Sequence, residues 1–492
     1  MKIEAKYQDT LKKRLFQYML NLLMLFIFWG GLLRKSYNYD TIYHMVVDDA
    51  DVMTRIRGGR YAVALGDYLL FKLGLRTTTN ISVIILITLI IFAAAMLIMQ
   101  LVFERWLPEN NWARAGFYCG LNLVFVNVLF AESLMFSEYS VYFALAYLSA
   151  AIGAMYFMRR KYLPAILMYA LAVSFYQNSV VFAGVMSAFY IFLDEKMVLS
   201  LKAVVREITA VAVCMSMGVL DLLSIRIFEK LNIIPASGKV SGMGNMAEKL
   251  MAASGNFVSL NKNAAGIMPN LWFPLLFAAV VWIVIIYSRI KEHKLLPALF
   301  LLMVCFGSYV LLYIIPLASI EFFCPPRLSF CFFMIQGLLL VAAYAISAKT
   351  LHKFLGVVGV LYMLLHLFFS DFVVTDHFVS NALDEAYVNM LYQEIVKYEN
   401  ETGIEVKKLA VMKDSYAPSY YAQVSYVSGQ INERTIDAVP VSLIKVITGK
   451  DLEKVEMPKD IREKYFKDKD WDYLDLGEQL VIEGDTAYWC IF

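Results

Sequence analysis

One short polar run holds the residues best suited to chemistry: Val47-Asp48-Asp49-Ala50-Asp51-Val52-Met53-Thr54-Arg55-Ile56-Arg57-Gly58-Gly59-Arg60-Tyr61. A carboxylate such as Asp48 or Asp49 can take the proton of a hydroxyl nucleophile. Arginines a turn or two away can grip phosphate with a forked, permanently charged group. A base beside phosphate binders suits group transfer from a lipid-linked phosphate. The same spelling also fits a solvated loop held by internal Asp–Arg pairs. As a helix, the run puts Asp48, Asp51 and Arg55 on one face, with Asp49 about a hundred degrees round. Gly58-Gly59 ends that helix. Asp49-Ala50-Asp51 matches the D-x-D with which nucleotide-sugar enzymes hold a metal, a short and unspecific pattern.

The rest of the chain must position this run, and its composition says where. Of 492 residues, 60% are hydrophobic and only 17% are charged, against roughly a quarter charged in soluble proteins. A net charge of +2 is too small to suggest a nucleic-acid partner. Apolar runs of the roughly 20 residues needed to cross a bilayer recur from Leu15 to Phe372. The chain therefore reads as a mainly α, polytopic helical membrane protein with about eleven spans: 15–33, 81–103, 115–131, 139–158, 162–176, 179–193, 204–225, 271–288, 295–315, 328–347 and 352–371. Lys2, Lys6, Lys12, Lys13 and Arg14 precede the first, which is too long for a signal-peptide core and has no small-residue cleavage site.

Basic residues set the orientation. With the N-terminus in the cytoplasm, the inner loops carry Arg105 and Arg114, then Arg159-Arg160-Lys161, then Lys196, Lys202 and Arg206, then Arg289, Lys291 and Lys294, and last Lys349 and Lys353. The short outer segments at 131–138 and 177–178 carry none, and 316–327 carries one. Segment 34–80 is then outside, which removes cytoplasmic nucleotide sugars as ligands of the D-x-D. Beyond Arg60, the residues Tyr61, Leu65, Tyr68 and Leu69 form an apolar stripe opposite Asp67 and Lys72. That is the pattern of a helix lying on the bilayer surface, so the charged run is expected at head-group depth.

Other polar residues gather at the same side. Glu132 and Glu138 bracket a span boundary, where loop solvation is an equally good explanation. Gln177 and Asn178 could bind sugar hydroxyls or simply make a turn. Arg327 follows Cys324-Pro325-Pro326; two prolines fix the backbone there, and the guanidinium either reaches lipid phosphate or holds the phosphate of a lipid donor. Asp221 is the main ionisable residue inside a span. The five histidines and six cysteines make no metal-ligand spacing. The Gly/Ser-rich loop after Pro235 lacks the strand-to-helix context of a phosphate loop.

From about Val373 charge becomes frequent. Leu383–Glu399 has helical spacing, Gly403 stops it, 404–412 reads as a strand, and 479–483 with 486–492 reads as a hairpin around Gly484-Asp485. The expected division is a transmembrane domain at 1–372 and a small α/β extracytoplasmic domain at 373–492.

The layout resembles the bacterial GtrII-type membrane glucosyltransferases, within the GT-C class that takes sugar from a polyprenyl-phosphate carrier. The resemblance rests on Asp48-Asp49 after the first span, then Arg55 and Gly59-Arg60-Tyr61. It continues with Glu132 and Glu138 in the second outer loop, Tyr176-Gln177 at a span end, the late Arg327, and an outer C-terminal domain. Ser133 and Glu138 depart from the family pattern, where an amide and an aspartate are usual. The resemblance implies a GT-C fold and an inverting glycosyltransferase. It would move a hexose, glucose by the family's usual substrate, from a polyprenyl-phosphate sugar to a hydroxyl of a surface glycan or glycolipid such as O-antigen. Asp48 or Asp49 would be the base. Arg60, Arg327 and Arg55 would hold the donor phosphate, and Glu132, Glu138 and Gln177 the sugar or acceptor. Arginines can stabilise the leaving phosphate without a metal, so no cofactor is expected, although the motifs do not rule out a divalent ion. The expected setting is the bacterial cytoplasmic membrane with the active face extracytoplasmic. A donor-synthesising enzyme and a small flippase would serve the same pathway. Two rival readings share the layout: a flippase or transporter of lipid-linked glycans, and a surface-polysaccharide polymerase or ligase.

Overall fold

The structure, a computed structural model, describes residues 2–46, 52–235, 245–293, 295–319, 321–413, 423–425, 431–432, 434–467, 469, 471 and 473–491. It is mainly helical. Among the described residues, seven helices are long and apolar enough to cross a membrane, and three shorter apolar helices accompany them.

The chain begins with α1 (Lys2–Trp29), followed by α2 (Tyr39–Val46), α3 (Val52–Arg57) and α4 (Tyr61–Lys72). Next come α5 (Ile81–Phe103), α6 (Asn111–Asn122), α7 (Ala131–Met135), α8 (Ser137–Met158), α9 (Tyr162–Phe175) and α10 (Ser179–Asp194). The bundle continues with α11 (Leu201–Lys230), α12 (Met246–Asn263), α13 (Phe273–Lys291), α14 (Leu296–Leu312), α15 (Ile314–Ala318), α16 (Pro326–Ser329) and α17 (Cys331–Ile346). One very long helix, α18 (His352–Thr402), leads into the C-terminal domain.

The expected span 115–131 is not one helix. Helix α6 stops at Asn122, and the chain from Leu123 to Phe136 runs through a turn, a 3₁₀ turn and the short α7. Every residue of that stretch is buried. Irregular backbone at membrane depth is tolerated only where protein covers it and its polar groups are satisfied. Asn127 does much of this. Its Nδ2 donates to the carbonyls of Leu123 (2.7 Å) and Val124 (3.2 Å), and its Oδ1 accepts from the N–H groups of Leu129 (3.1 Å) and Phe130 (3.2 Å). Trp29 Nε1 donates to the Phe125 carbonyl at 2.9 Å. Sequence periodicity gives no hint of the break, because Leu-Val-Phe-Val-Asn-Val-Leu-Phe is as apolar as a span.

Glycines bring α6 against its neighbours. A Cβ on Gly116 would lie 2.5 Å from the Gly356 Cα of α18, and one on Gly337 of α17 would lie 2.0 Å from the Gly120 carbonyl oxygen. Small residues permit such backbone approach where packing, rather than the hydrophobic effect, joins helices.

The proposed boundary at 372/373 falls inside α18, which runs on unbroken for 51 residues and caps at Gly403 with φ 72°. The domain around its far half is α/β as expected. Strand β1 (Lys408–Lys413) pairs in parallel with β2 (Glu453–Val455) and with β4 (Thr486–Ile491), and β3 (Leu480–Glu483) pairs antiparallel with β4, giving the order β2-β1-β4-β3. Gly484, with φ 61°, turns the β3–β4 hairpin. Between β1 and β2 lie α19 (Thr435–Ala438) and α20 (Pro440–Thr448). Between β2 and β3 lie a helical turn α21 (Lys459–Ile461), a π-helical turn Arg462–Phe466 and α22 (Leu476–Gln479). The first connecting segment also belongs to this domain. Tyr37 and Ile42 join Val388, Leu391 and Trp489 in its core. Tyr37 and Asn381 exchange three hydrogen bonds: Tyr37 N–H to Asn381 Oδ1 and Asn381 Nδ2 to the Tyr37 carbonyl, both 2.9 Å, and the Tyr37 hydroxyl to the Asn381 carbonyl at 3.1 Å.

Candidate functional site

The end of the bundle beneath this domain collects the residues singled out in the sequence. Asp48, Asp49 and Asp51 lie outside the described residues, but the elements on either side of them are well defined. Helix α3 ends at Arg57, and Gly59, at φ 71°, turns the chain into α4. A Cβ on Gly59 would meet an Asp221 carboxylate oxygen at 2.3 Å. Gln177 Nε2 donates both to the Gly58 carbonyl (2.6 Å) and to Asp221 Oδ2 (3.1 Å). The Tyr61 and Ser224 hydroxyls meet at 2.5 Å. Asp221, the carboxylate inside a span, therefore pins the glycine turn to α11. Gln177, expected on sugar or acceptor, is spent on the same clamp through its amide nitrogen.

The three arginines are held differently. Arg55 is buried. Its Nε donates to Asp67 Oδ2 at 3.2 Å, its guanidinium lies 4.1 Å from the Tyr139 ring centroid, and the Tyr142 hydroxyl donates to the other Asp67 oxygen at 2.6 Å. Asp67 was expected opposite the apolar stripe of α4. It does lie opposite, but that side faces the protein, while Leu65, Tyr68 and Leu69 are exposed. Asp67 is thus a partner of Arg55 that helical spacing did not offer.

Arg327 is gripped by Glu132. One Glu132 oxygen accepts from the guanidinium and the other from the Arg327 backbone N–H, both at 2.8 Å, and Glu132 is fully buried. The carboxylate expected to bind sugar or acceptor thus holds an arginine, and with it the start of α16. Asn178 Nδ2 adds weaker bonds to the Arg327 and Leu328 carbonyls, at 3.3 and 3.5 Å. The Arg327 guanidinium also lies 4.6 Å from the Phe136 ring centroid.

Arg60 has no such anchor. Its guanidinium lies 5.0 Å from the Tyr139 centroid and 6.0 Å from that of Tyr176, and its Nε is buried without a hydrogen-bond partner among the described residues. Burial lowers its pKa, Tyr176 and Asp40 oppose that, and Arg55 and Arg327 add to it. Asp40 of α2, Arg55 of α3 and Arg327 of α16 are therefore each within electrostatic reach of Arg60.

Further buried polar atoms without partners among the described residues belong to the same segments: Arg57 Nε, Ser133 Oγ, Glu138 Oε1, the Tyr176 hydroxyl, Asn178 Oδ1 and Ser179 Oγ. Unpaired buried polar groups cost about 1–3 kcal/mol each, so each of these asks for a partner or a role. Glu138 retains one such oxygen while the other accepts from the Thr41 hydroxyl at 2.7 Å. Of the residues expected to contact sugar or acceptor, Glu138 is the one whose carboxylate remains half unpaired.

Sequence reasoning missed Asp40. It opens α2, one residue before the Thr41 that bonds Glu138, and is within electrostatic reach of both Arg60 and Glu138. The only available signal was position, an acid just after the first span. Asn38 was missed as well. Its Nδ2 donates to the Met135 carbonyl and its Oδ1 accepts from the Thr41 N–H, both at 2.8 Å, tying α2 to α7.

Among the described residues no group of three His, Cys, Asp or Glu side chains could hold a metal ion, and none of the six cysteines is in a disulfide. Fold and site together describe a mainly helical protein with membrane-length spans, a largely enclosed arginine cluster at one end, and an α/β domain beyond it. No family model, curated protein or solved structure matches the chain.

Proposed function

We propose that the chain is a GT-C-like glycosyltransferase of about eleven spans, N-terminus in and C-terminus out. It moves a hexose, glucose by its resemblance to the GtrII type, from a polyprenyl-phosphate sugar to a hydroxyl of a surface glycan or glycolipid. Its active face is extracytoplasmic. The observation that carries this reading is Arg60: a guanidinium with a buried, partnerless Nε, set between two tyrosine rings and within reach of Arg327.

In this reading the acceptor oxygen attacks the anomeric carbon as its proton passes to a carboxylate. The bond from that carbon to the phosphate oxygen breaks, and the phosphate leaves with the electron pair. Arg60 and Arg327 receive the negative charge where it develops, which is where preorganised charge contributes most. Asp48 and Asp49 are the base candidates carried by the resemblance, and Asp40 joins them by position. Glu138 faces sugar or acceptor. Glu132, Asp67, Gln177 and Asp221 act one step back by holding Arg327, Arg55 and the glycine turn. The polyprenyl tail would lie along the exposed apolar side of α4.

The test is transfer by purified protein from polyprenyl-phosphate glucose, with Asp40→Asn, Asp48→Asn, Asp49→Asn and Arg60→Gln measured separately. Loss in Arg60→Gln and in one of the carboxylate variants is expected. Full activity in all four would overturn the assignment, and movement of lipid-linked glycan without sugar transfer would favour a flippase.

A further inference from the structure

We propose that the C-terminal domain carries a second, oxyanion-binding cleft at the carboxyl end of β1, which takes a phosphate or carboxylate group. The inference does not depend on the glycosyltransferase reading. It stands on three observations in a part of the molecule that reading leaves unused.

The first is charge. A cleft of about 520 Å³ is lined by Lys413, Lys459, Arg462, Lys467 and Lys469, with Glu463 the acidic residue among the described lining. Lys413 is paired with Asp437 at 2.7 Å, and Lys469 with Glu478 at 3.3 Å. Lys459, Arg462 and Lys467 have no ion-pair partner among the described residues, and all three are exposed. Three uncommitted cations, one a forked guanidinium, meet the usual requirement for holding a multiply charged oxyanion.

The second is place. Strand β1 lies between β2 and β4 and is parallel to both. From β1 the chain crosses to β2 on one side, then returns past β1 to form β3 and β4 on the other. Sheets of this kind bind ligands in the crevice beyond the carboxyl ends of strands, where connections diverge to opposite sides. Lys413 is the last residue of β1.

The third is backbone. Arg462 opens a π-helical turn that ends at the buried Phe466 and leads directly to Lys467. Single π-helical turns are rare, and they concentrate at functional sites because they re-aim side chains.

The cleft is also oriented. Glu399 accepts from the Val406 N–H at 2.7 Å, so β1 starts beside the far end of α18. At its other end Lys413 reaches Asp437, two residues from Thr435, whose N–H donates to Asp384 at 2.8 Å. Strand β1 therefore runs back along α18, and its cationic end is level with Asp384, about one turn from the Asn381 that bonds Tyr37. The cleft lies on the bundle side of the domain, where either a glycan-borne anion or a lipid head group could reach it.

The experiment uses the full chain in nanodiscs of neutral lipid. Binding of inorganic phosphate and of a soluble polyuronate is measured by calorimetry at low and high salt. The wild type is expected to bind the polyuronate, with affinity that falls as salt rises. The triple variant Lys459→Glu, Arg462→Glu, Lys467→Glu should lose about tenfold or more. Lys397→Glu with Lys407→Glu and Lys454→Glu, an equal charge change at the far end of α18 and near the amino ends of β1 and β2, should leave affinity unchanged. Because the three cations are exposed, an unchanged unfolding temperature in the triple variant separates lost binding from lost fold. Displacement of the polyuronate when phosphatidylglycerol is added to the nanodisc assigns the cleft to lipid head groups, and undiminished binding assigns it to a glycan-borne or free anion. No anion binding by the wild type, or equal losses in both charge-reversal variants, would overturn the proposal.

Discussion

The two ends of the bundle treat charge in opposite ways. At the end away from the C-terminal domain, Asp194 of α10 receives both Arg105 and Arg206, Arg206 also bonds Glu195 at 2.8 Å, and Arg14 meets Glu104 at 2.9 Å. Each of these charges has a partner on a different helix or loop, and the cluster reads as fastening. At the domain end Arg327 and Arg55 are fastened too, by Glu132 and Asp67, but their partners hold them around an arginine that is not. Partially exposed pairs that close on themselves contribute modestly to stability. A cation held in place while its own hydrogen-bonding capacity stays open is a binding arrangement. The contrast teaches that the carboxylates one would nominate as ligands by type and position can instead be braces for neighbouring cations.

Four substitutions bear on this contrast. Arg60→Gln should have the largest effect, cutting sugar transfer about 100-fold or more while the unfolding temperature hardly moves, since no hydrogen bond among the described residues is lost. A large loss of stability would make Arg60 another brace. Glu132→Gln comes next. It should destabilise the protein by about 2–3 kcal/mol, because a buried pair is broken, and should also lower transfer about tenfold or more by freeing Arg327; scanning calorimetry and the transfer assay report the two effects separately. Gly59→Ala forces a left-handed backbone position and drives a methyl into Asp221. A cost of about 1–2 kcal/mol is expected, with a several-fold drop in transfer as the turn shifts Arg60. Asp194→Ala should be the mildest, at about 1 kcal/mol for a partly exposed pair, with specific activity unchanged. An activity loss there comparable to that of Arg60→Gln would erase the distinction between the two ends.

Much of the architecture was legible in the residues. Gly58-Gly59 ends α3, Gly403 ends α18, and Gly484 turns the hairpin, because each needs a backbone that Cβ-bearing residues avoid or a stop that helical spacing announces. Most spans were legible because lipid leaves few alternatives to a long apolar helix. What the residues did not show depends on partners distant in sequence. The break at Leu123–Phe136 is stabilised by Asn127 and Trp29, and apolar composition reads the same whether helical or not. The inward turn of Asp67 depends on Tyr142 and Arg55. The continuity of α18 was hidden by the polar residues after Phe372, which mark departure from apolar surroundings and leave helix formation intact. For the site, the cluster of arginines was legible, while the division between Arg55 and Arg327, which are braced, and Arg60, whose Nε stays open, was not. That division is decided by Glu132 and Asp67, at distances in sequence of 195 and 12 residues from the arginines they hold.

Helix α18 has a mechanical meaning. At 1.5 Å per residue its 51 residues make a rod of about 76 Å, with its foot wedged by glycine contacts against α6 and its head inside the C-terminal core. Such a rod fixes both the height and the heading of whatever it carries. Deleting one residue between Phe372 and His377 would lower the domain by about 1.5 Å but swing it by about 100°, straining the bonds from Asn38 to Met135 and from Thr41 to Glu138 that tie it to the bundle. Inserting seven would restore the heading to within about 20° while raising the domain by roughly 10 Å. Azimuth and altitude of the cationic cleft over the arginine site are thus written in the residue count of one helix.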